Sequence, residues 1–179
     1  DGGSFKDVTQ EVGPDLVDIG LVTDALWSDF NNDGKMDLIL TGEWMPITVL
    51  QQKTSKEGNI HFEMVNSHGL KHSNGWWNSL TAGEYDGDGD MDYVAGNLGL
   101  NSRWKASEKE PLSLYAKDFD GNGSIDPVMG YYVQGENYPV ASRDALISQI
   151  AAMKKRFPYY RDYGLTTYDE VFTKKELQG

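Results

Sequence analysis

Three times along the chain a strand-like run stops at a short polar segment, and a second apolar and aromatic run ending near Gly follows directly. "TDALWSDF" leads into "DLILTGEW", "NSLTAGEY" into "DYVAGNLG", and "PLSLYAKDF" into "DPVMGYYVQG". The apolar and aromatic content and the bounding glycines predict strands, paired as β–loop–β hairpins. "PITVLQQ" and "IHFEMVN" follow the first pair and complete a four-stranded unit. The second pair runs into the polar stretch "NSRWKASEKEP", and the third into "NYPVAS". Residues 1–20 read as the tail of a preceding unit.

Beyond residue 140 the pattern changes. In "SRDALISQIAAMKKRF", Leu146, Ile150, Met153 and Phe157 share one helical face, with Ser142 placed to cap the start and Pro158 to stop it. Thr167 with Glu170, and Thr173 with Glu176, have capping-box spacing. These features predict short helices. An apolar face docked on the protein's own sheet is favoured over a partner-binding helix. The expected organisation is β units over residues 1–140 and a helical segment over 141–179, packed on them or inserted among them.

The polar segments align in one register. Asp29, Glu84 and Asp118 take position 1, Asn31, Asp86 and Asp120 position 3, and Asp33, Asp88 and Asn122 position 5. Gly34, Gly89 and Gly123 take position 6, Lys35, Asp90 and Ser124 position 7, and Asp37, Asp92 and Asp126 position 9. Oxygen donors on alternate residues of a tight loop can converge, and Gly at position 6 permits the sharp turn. Ca²⁺ takes six to eight oxygens at about 2.3–2.6 Å, whereas Mg²⁺ demands a stricter octahedron. The varied residues at position 7 suit a backbone carbonyl ligand. The alternative, a metal-free cluster of Asx turns, has to arise three times over. About three Ca²⁺ ions are therefore expected. An EF-hand is excluded, because position 12 is Leu40, Ala95 or Met129 in place of Glu, and strands replace the flanking helices.

Composition narrows the function. The net charge is −12 across 179 residues and no basic stretch exists, which argues against nucleic acid and anionic membranes. Absence of cysteine removes disulfides and thiolate zinc sites. No apolar run reaches transmembrane length. The 20 glycines favour a turn-rich β fold.

The hairpin unit resembles the FG-GAP and VCBS repeats of integrin-α-like β-propellers. "GEWMPITVL", "GWWNSL", "GNLGLNS", "LYAKDFDGNGSIDP" and "YPVASRDALISQIAAMKKRFP" are similar to exported bacterial VCBS-repeat proteins. The resemblance implies a mainly β fold, a partial β-propeller of about three blades with short C-terminal helices. It also implies Ca²⁺ in the loops and an extracytoplasmic module, secreted, periplasmic or on the cell surface, for protein or glycan interaction. Glu84 departs from the usual Asp at position 1, and Asn122 removes a charge from the third loop. Open blade edges would favour self-association.

Other chemistry is thinly represented. His68 and His72 have helical zinc spacing but lie in a Gly- and Asn-rich stretch with no third ligand. Trp44, Trp76, Trp77 and Trp104 could stack on sugar rings, although packing between blades is the commoner use of such residues. A carbohydrate-binding or glycan-processing role is the alternative function. With no cysteine and no Gly-x-Ser-x-Gly elbow, and with its best-placed carboxylates committed to loops, the chain is read as a non-enzyme.

Overall fold

The computed structural model describes residues 3–65 and 69–177. His68 lies outside the described residues. The fold is mainly β: nine strands are present among the described residues, all in antiparallel pairs, with short helices and no closed barrel. No helix among these residues is long and apolar enough to cross a membrane. The chain divides into two compact units, Asp1–Asn101 and Ser102–Gly179.

In the first unit β1 (Leu21–Ser28), β2 (Asp37–Met45), β3 (Thr48–Thr54) and β4 (Ile60–Val65) form an antiparallel meander in which each strand pairs with the next. The interior strand β2 is buried along most of its length, so its sequence loses strict alternation and runs Leu-Ile-Leu. Leu38, Leu40, Met45 and Leu50 form the core, with Leu16, Ile19 and Phe62 against it. β5 (Gly75–Gly83) pairs with the end of β2, at Glu43 opposite Trp76 and Met45 opposite Gly75, and β6 (Asp92–Asn97) pairs with β5. Trp44 sits in the bulge between those two pairs with a φ of 63°, an uncommon conformation for a bulky side chain. Its ring meets Trp76 edge-on at 5.4 Å.

Residues 3–20 carry no strand, contrary to the sequence expectation. Asp7 accepts a bond from Thr9 N–H at 2.9 Å and starts the one-turn helix α1 (Thr9–Val12). Gly13 and Pro14 then redirect the chain into a 3₁₀ turn, and Asp15 accepts from Met64 N–H at 3.0 Å on β4.

In the second unit β7 (Ser113–Lys117), β8 (Asp126–Val133) and β9 (Glu136–Pro139) form a three-stranded sheet. The turn from β8 to β9 uses Gln134 and Gly135 with φ of 54° and 87°, the two left-handed residues of a tight hairpin. Five short helices follow: α2 (Arg143–Gln149), α3 (Met153–Arg156), α4 (Tyr160–Tyr163), α5 (Tyr168–Val171) and α6 (Lys174–Leu177). Leu146, Ile150, Met153 and Phe157 are all buried, together with Val128, Tyr168, Val171 and Phe172. The helical face predicted for them is interrupted, however. Ile150 adopts φ −124° and ψ 91° and separates α2 from α3. The predicted caps are present. Ser142 Oγ accepts from Ala145 N–H, Thr167 and Glu170 form a capping box, and Thr173 and Glu176 exchange the same pair of bonds. Arg143 fastens the end of α3 by donating to the carbonyls of Phe157 and Pro158.

Candidate metal centre

All three loops join the strands predicted to flank them: β1 to β2, β5 to β6, and β7 to β8. They also share one hydrogen-bond scheme. The position-1 carboxylate accepts from the glycine N–H at position 6: Asp29 from Gly34 at 2.8 Å, Glu84 from Gly89 at 2.7 Å, Asp118 from Gly123 at 2.8 Å. Position 3 accepts from the N–H of position 5, in Asn31 to Asp33, Asp86 to Asp88 and Asp120 to Asn122. Position 5 accepts from the N–H of position 7, which is Lys35, Asp90 or Ser124. Position 9 reaches back to the N–H of position 2: Asp37 to Phe30, Asp92 to Tyr85, Asp126 to Phe119. The glycines at position 6 hold φ of 81°, 93° and 86°, where a Cβ would be strained.

These bonds aim the carboxylates without exhausting them. A carboxylate offers about four lone-pair directions. Asp29 and Glu84 each accept two N–H groups, and Asp118 accepts those of Gly121, Asn122 and Gly123 and has its pKa also lowered by the Asp120 N–H. Oxygens of Glu84, Asp86 and Asp88 lie within 4.8 Å of one another, as do those of Asp118, Asp120 and Asp126. Oxygens so spaced can share one hard cation at about 2.3–2.6 Å, and the all-oxygen donor set suits Ca²⁺. In the first loop Asn31 takes the place of one carboxylate. Lys35 Nζ approaches Asp33 at 3.5 Å, an exposed pair worth little by itself.

The electrostatics differ among the loops. Repulsion from Asp88 above all, with Asp92 and Asp86, raises the pKa of Asp90. Asp118 is lowered, chiefly by the Gly123 N–H and then, against some burial, by Asn122 and Gly121. Burial of Asp33 works to raise its pKa, but bonds from Asn31 and Lys35 prevail and lower it. Position 9 is shut away in the first and third loops, where Asp37 and Asp126 are 0% and 2% exposed. Asp92 is half-buried.

The first two loops border a shared open cleft of 240 Å³ lined by Ser28, Asp29, Asn32, Glu84, Gly89, Asp90 and Met91. Three supporting residues carry no local sequence signal. Gln52, on β3, donates its N–H to Asp37 at 2.8 Å. Asp24, on β1, accepts from Leu80 N–H at 2.8 Å and so ties β1 to β5. Tyr93 OH lies 2.7 Å from Ser28 Oγ. Among the sequence candidates for stacking, Trp44 and Trp76 pack on each other, Trp77 Nε1 donates to Ser73 O, and Arg103 covers Trp104. His72 lies exposed in a 3₁₀ turn.

Residues 29–95 match the family model described as FG-GAP-like repeat. The match runs from Asp29 of the first loop to Ala95 on β6, takes in β2 to β5, and is consistent with propeller blades. The third loop lies outside it and repeats the same hydrogen-bond scheme. No curated protein and no solved structure is significantly similar to the chain.

Proposed function

We propose that the protein is a calcium-binding β-propeller-type interaction module of the exported VCBS-repeat kind, acting outside the cytoplasm on a protein or glycan partner. The observation that carries this reading is the single hydrogen-bond scheme repeated in three loops, with acidic oxygens converging in the second and third. Asp29, Asn31, Asp33 and Asp37 would hold one ion, Glu84, Asp86, Asp88 and Asp92 a second, and Asp118, Asp120, Asn122 and Asp126 a third. The carbonyls of Lys35, Asp90 and Ser124 would complete the three sets. The ion's contribution is charge neutralisation at the hairpin ends. Its role is structural and the module is not an enzyme. Extracellular modules of this type bind Ca²⁺ at about 10⁻⁴–10⁻³ M, which fits the proposed location.

The test is calorimetric titration with Ca²⁺, together with thermal melting in Ca²⁺ and in EGTA. A cation that binds only the folded state adds about 2.7 kcal/mol per site at a hundredfold excess over Kd. Three oxygen-ligated sites and a clear fall in Tm on chelation are expected. An unchanged Tm with the ions removed would overturn the structural role. The carbohydrate reading rests on the Trp44–Trp76 pair beside Asn74 and Asn78. A glycan array that quenches tryptophan emission would favour it over a protein partner.

A further inference from the structure

Within the first unit one side chain touches the first loop while its own strand leaves the second. Tyr93 follows Asp92, the position-9 aspartate of the second loop, on β6. Its hydroxyl sits 2.7 Å from Ser28 Oγ, and its ring lies 5.6 Å from that of Phe30. Ser28 and Phe30 are the two neighbours of Asp29, at position 1 of the first loop. Ser28 is 6% exposed and Tyr93 half-buried, so this hydrogen bond is partly buried. Phe30 is anchored from the other side by its N–H bond to Asp37. Asp92 in turn accepts from Tyr85 N–H and closes the second loop. A continuous path of bonds therefore runs from Asp37 and Asp29, through Phe30, Ser28 and Tyr93, to Asp92. The third loop has nothing equivalent, because the residues at the places of Ser28 and Tyr93 are Lys117 and Pro127.

We propose that Tyr93 is a positioning residue that couples the first two loops, so that a cation in one raises the affinity of the other. The inference rests on the cation reading given above. A cation in the first loop immobilises Asp29 and with it the flanking Ser28 and Phe30. These hold Tyr93, and Tyr93 fixes the backbone that carries Asp92. The ordering cost of the second loop is then partly met before its own ion arrives, and linkage makes the effect reciprocal. Repulsion between the two ions opposes the coupling. It is screened over about 8 Å at physiological salt, whereas the path through Tyr93 is a chain of direct contacts.

The experiment is a Ca²⁺ titration of the full chain at physiological ionic strength, followed by amide NMR at Gly34, Gly89 and Gly123. Each of these N–H groups donates to the position-1 carboxylate of its own loop and reports that loop alone. The first loop is disabled with Asp33→Ala, in the natural chain and in Tyr93→Phe and Ser28→Ala backgrounds. Both background substitutions remove the hydroxyl bond and keep the aromatic contact with Phe30. In the natural chain, disabling the first loop should weaken Ca²⁺ binding at the second by about fivefold or more, the lower end of usual site–site coupling. In either background that loss should largely disappear, and Gly123 should report the same affinity throughout. A second loop indifferent to Asp33→Ala, strengthened by it, or weakened equally in all backgrounds overturns the coupling while leaving the cation reading intact. Absence of Ca²⁺ binding at all three glycines overturns both.

Discussion

Asp37 and Asp126 hold the same place in the first and third loops, and both are closed off from water by different means. Over Asp37 lies a third strand, β3, whose Gln52 N–H caps the second carboxylate oxygen. The same two strands, β2 and β3, carry the buried aliphatic residues Leu38, Ile39, Leu40, Val49 and Leu50. Beside Asp126 lie helices. Gln149 Nε2 of α2 donates to Pro127 O, and Phe119 stacks on Phe172 at 4.7 Å. Between these two cases stands Asp92, which keeps the Tyr85 bond and, among the described residues, has no counterpart of Gln52. The loop is therefore self-contained. Its scaffold is drawn from nine consecutive residues, while the core beneath it can be built from strands or from helices.

The largest test of that comparison removes each core in turn. Phe172→Ala should cost about 3–5 kcal/mol and Leu50→Ala about 2–5 kcal/mol, since both side chains are fully buried. Amide exchange should show the first loss in β7–β9 and the helices, and the second in β1–β4. A Phe172→Ala chain that loosens β1–β4 as much as β7–β9 would break the comparison.

A smaller effect separates the position-9 aspartates, measured in metal-depleted protein. Asp37→Ala removes the acceptor of the half-buried Phe30 and Gln52 N–H groups, at up to about 1–3 kcal/mol for each. Asp92→Ala strands the N–H of exposed Tyr85 and should cost clearly less in denaturant unfolding. Equal losses would show that the third strand adds nothing to the loop. Thr167→Ala comes next, at about 1 kcal/mol for a lost helix cap, confined to α5 in amide exchange.

The smallest effect is a pH dependence of opposite sign in the second and third loops. Asp118 is lowered, so its contribution is present above the ordinary aspartate value of 3.8 and is lost as pH falls through its depressed value. Asp90 is raised, so its penalty is absent below 3.8 and sets in as pH rises through its elevated value. In metal-depleted protein, acidification from neutrality should first steady Gly89. Further acidification below 3.8 should free Gly123. NMR amide shifts followed against pH will show whether the two glycines move apart in this way.

Much of this was legible in the chain because it depends on near neighbours. The three hairpins follow from apolar and aromatic runs interrupted by Asx- and Gly-rich loops, and the caps at Ser142, Thr167 and Thr173 from spacings of three residues. Three features that depend on distant partners were not legible. Gln52 reaches Asp37 from another strand, Asp24 meets Leu80 across 56 positions, and Ser28 meets Tyr93 across 65. Local rules also misjudged two segments. Residues 3–20 follow the Asp7–Thr9 turn and the Gly13–Pro14 break rather than a strand, and Ile150 keeps its buried place by leaving the helix.

The pairing of β5 with the end of β2 has a consequence for the time course of folding. The ladders of β1 with β2, β2 with β3, and β3 with β4 each join consecutive strands through short connections, and hairpins of this kind form in about 1–10 μs. The β2–β5 ladder and the Asp24–Leu80 bond instead enclose both β3 and β4. Their closure entropy grows with the logarithm of the enclosed length. It is recovered only once the enclosed meander has shortened the effective span. The first four strands are therefore expected to pair before β5 docks on β2, whereas the second loop, closed by the local β5–β6 hairpin, can take its shape independently of that docking.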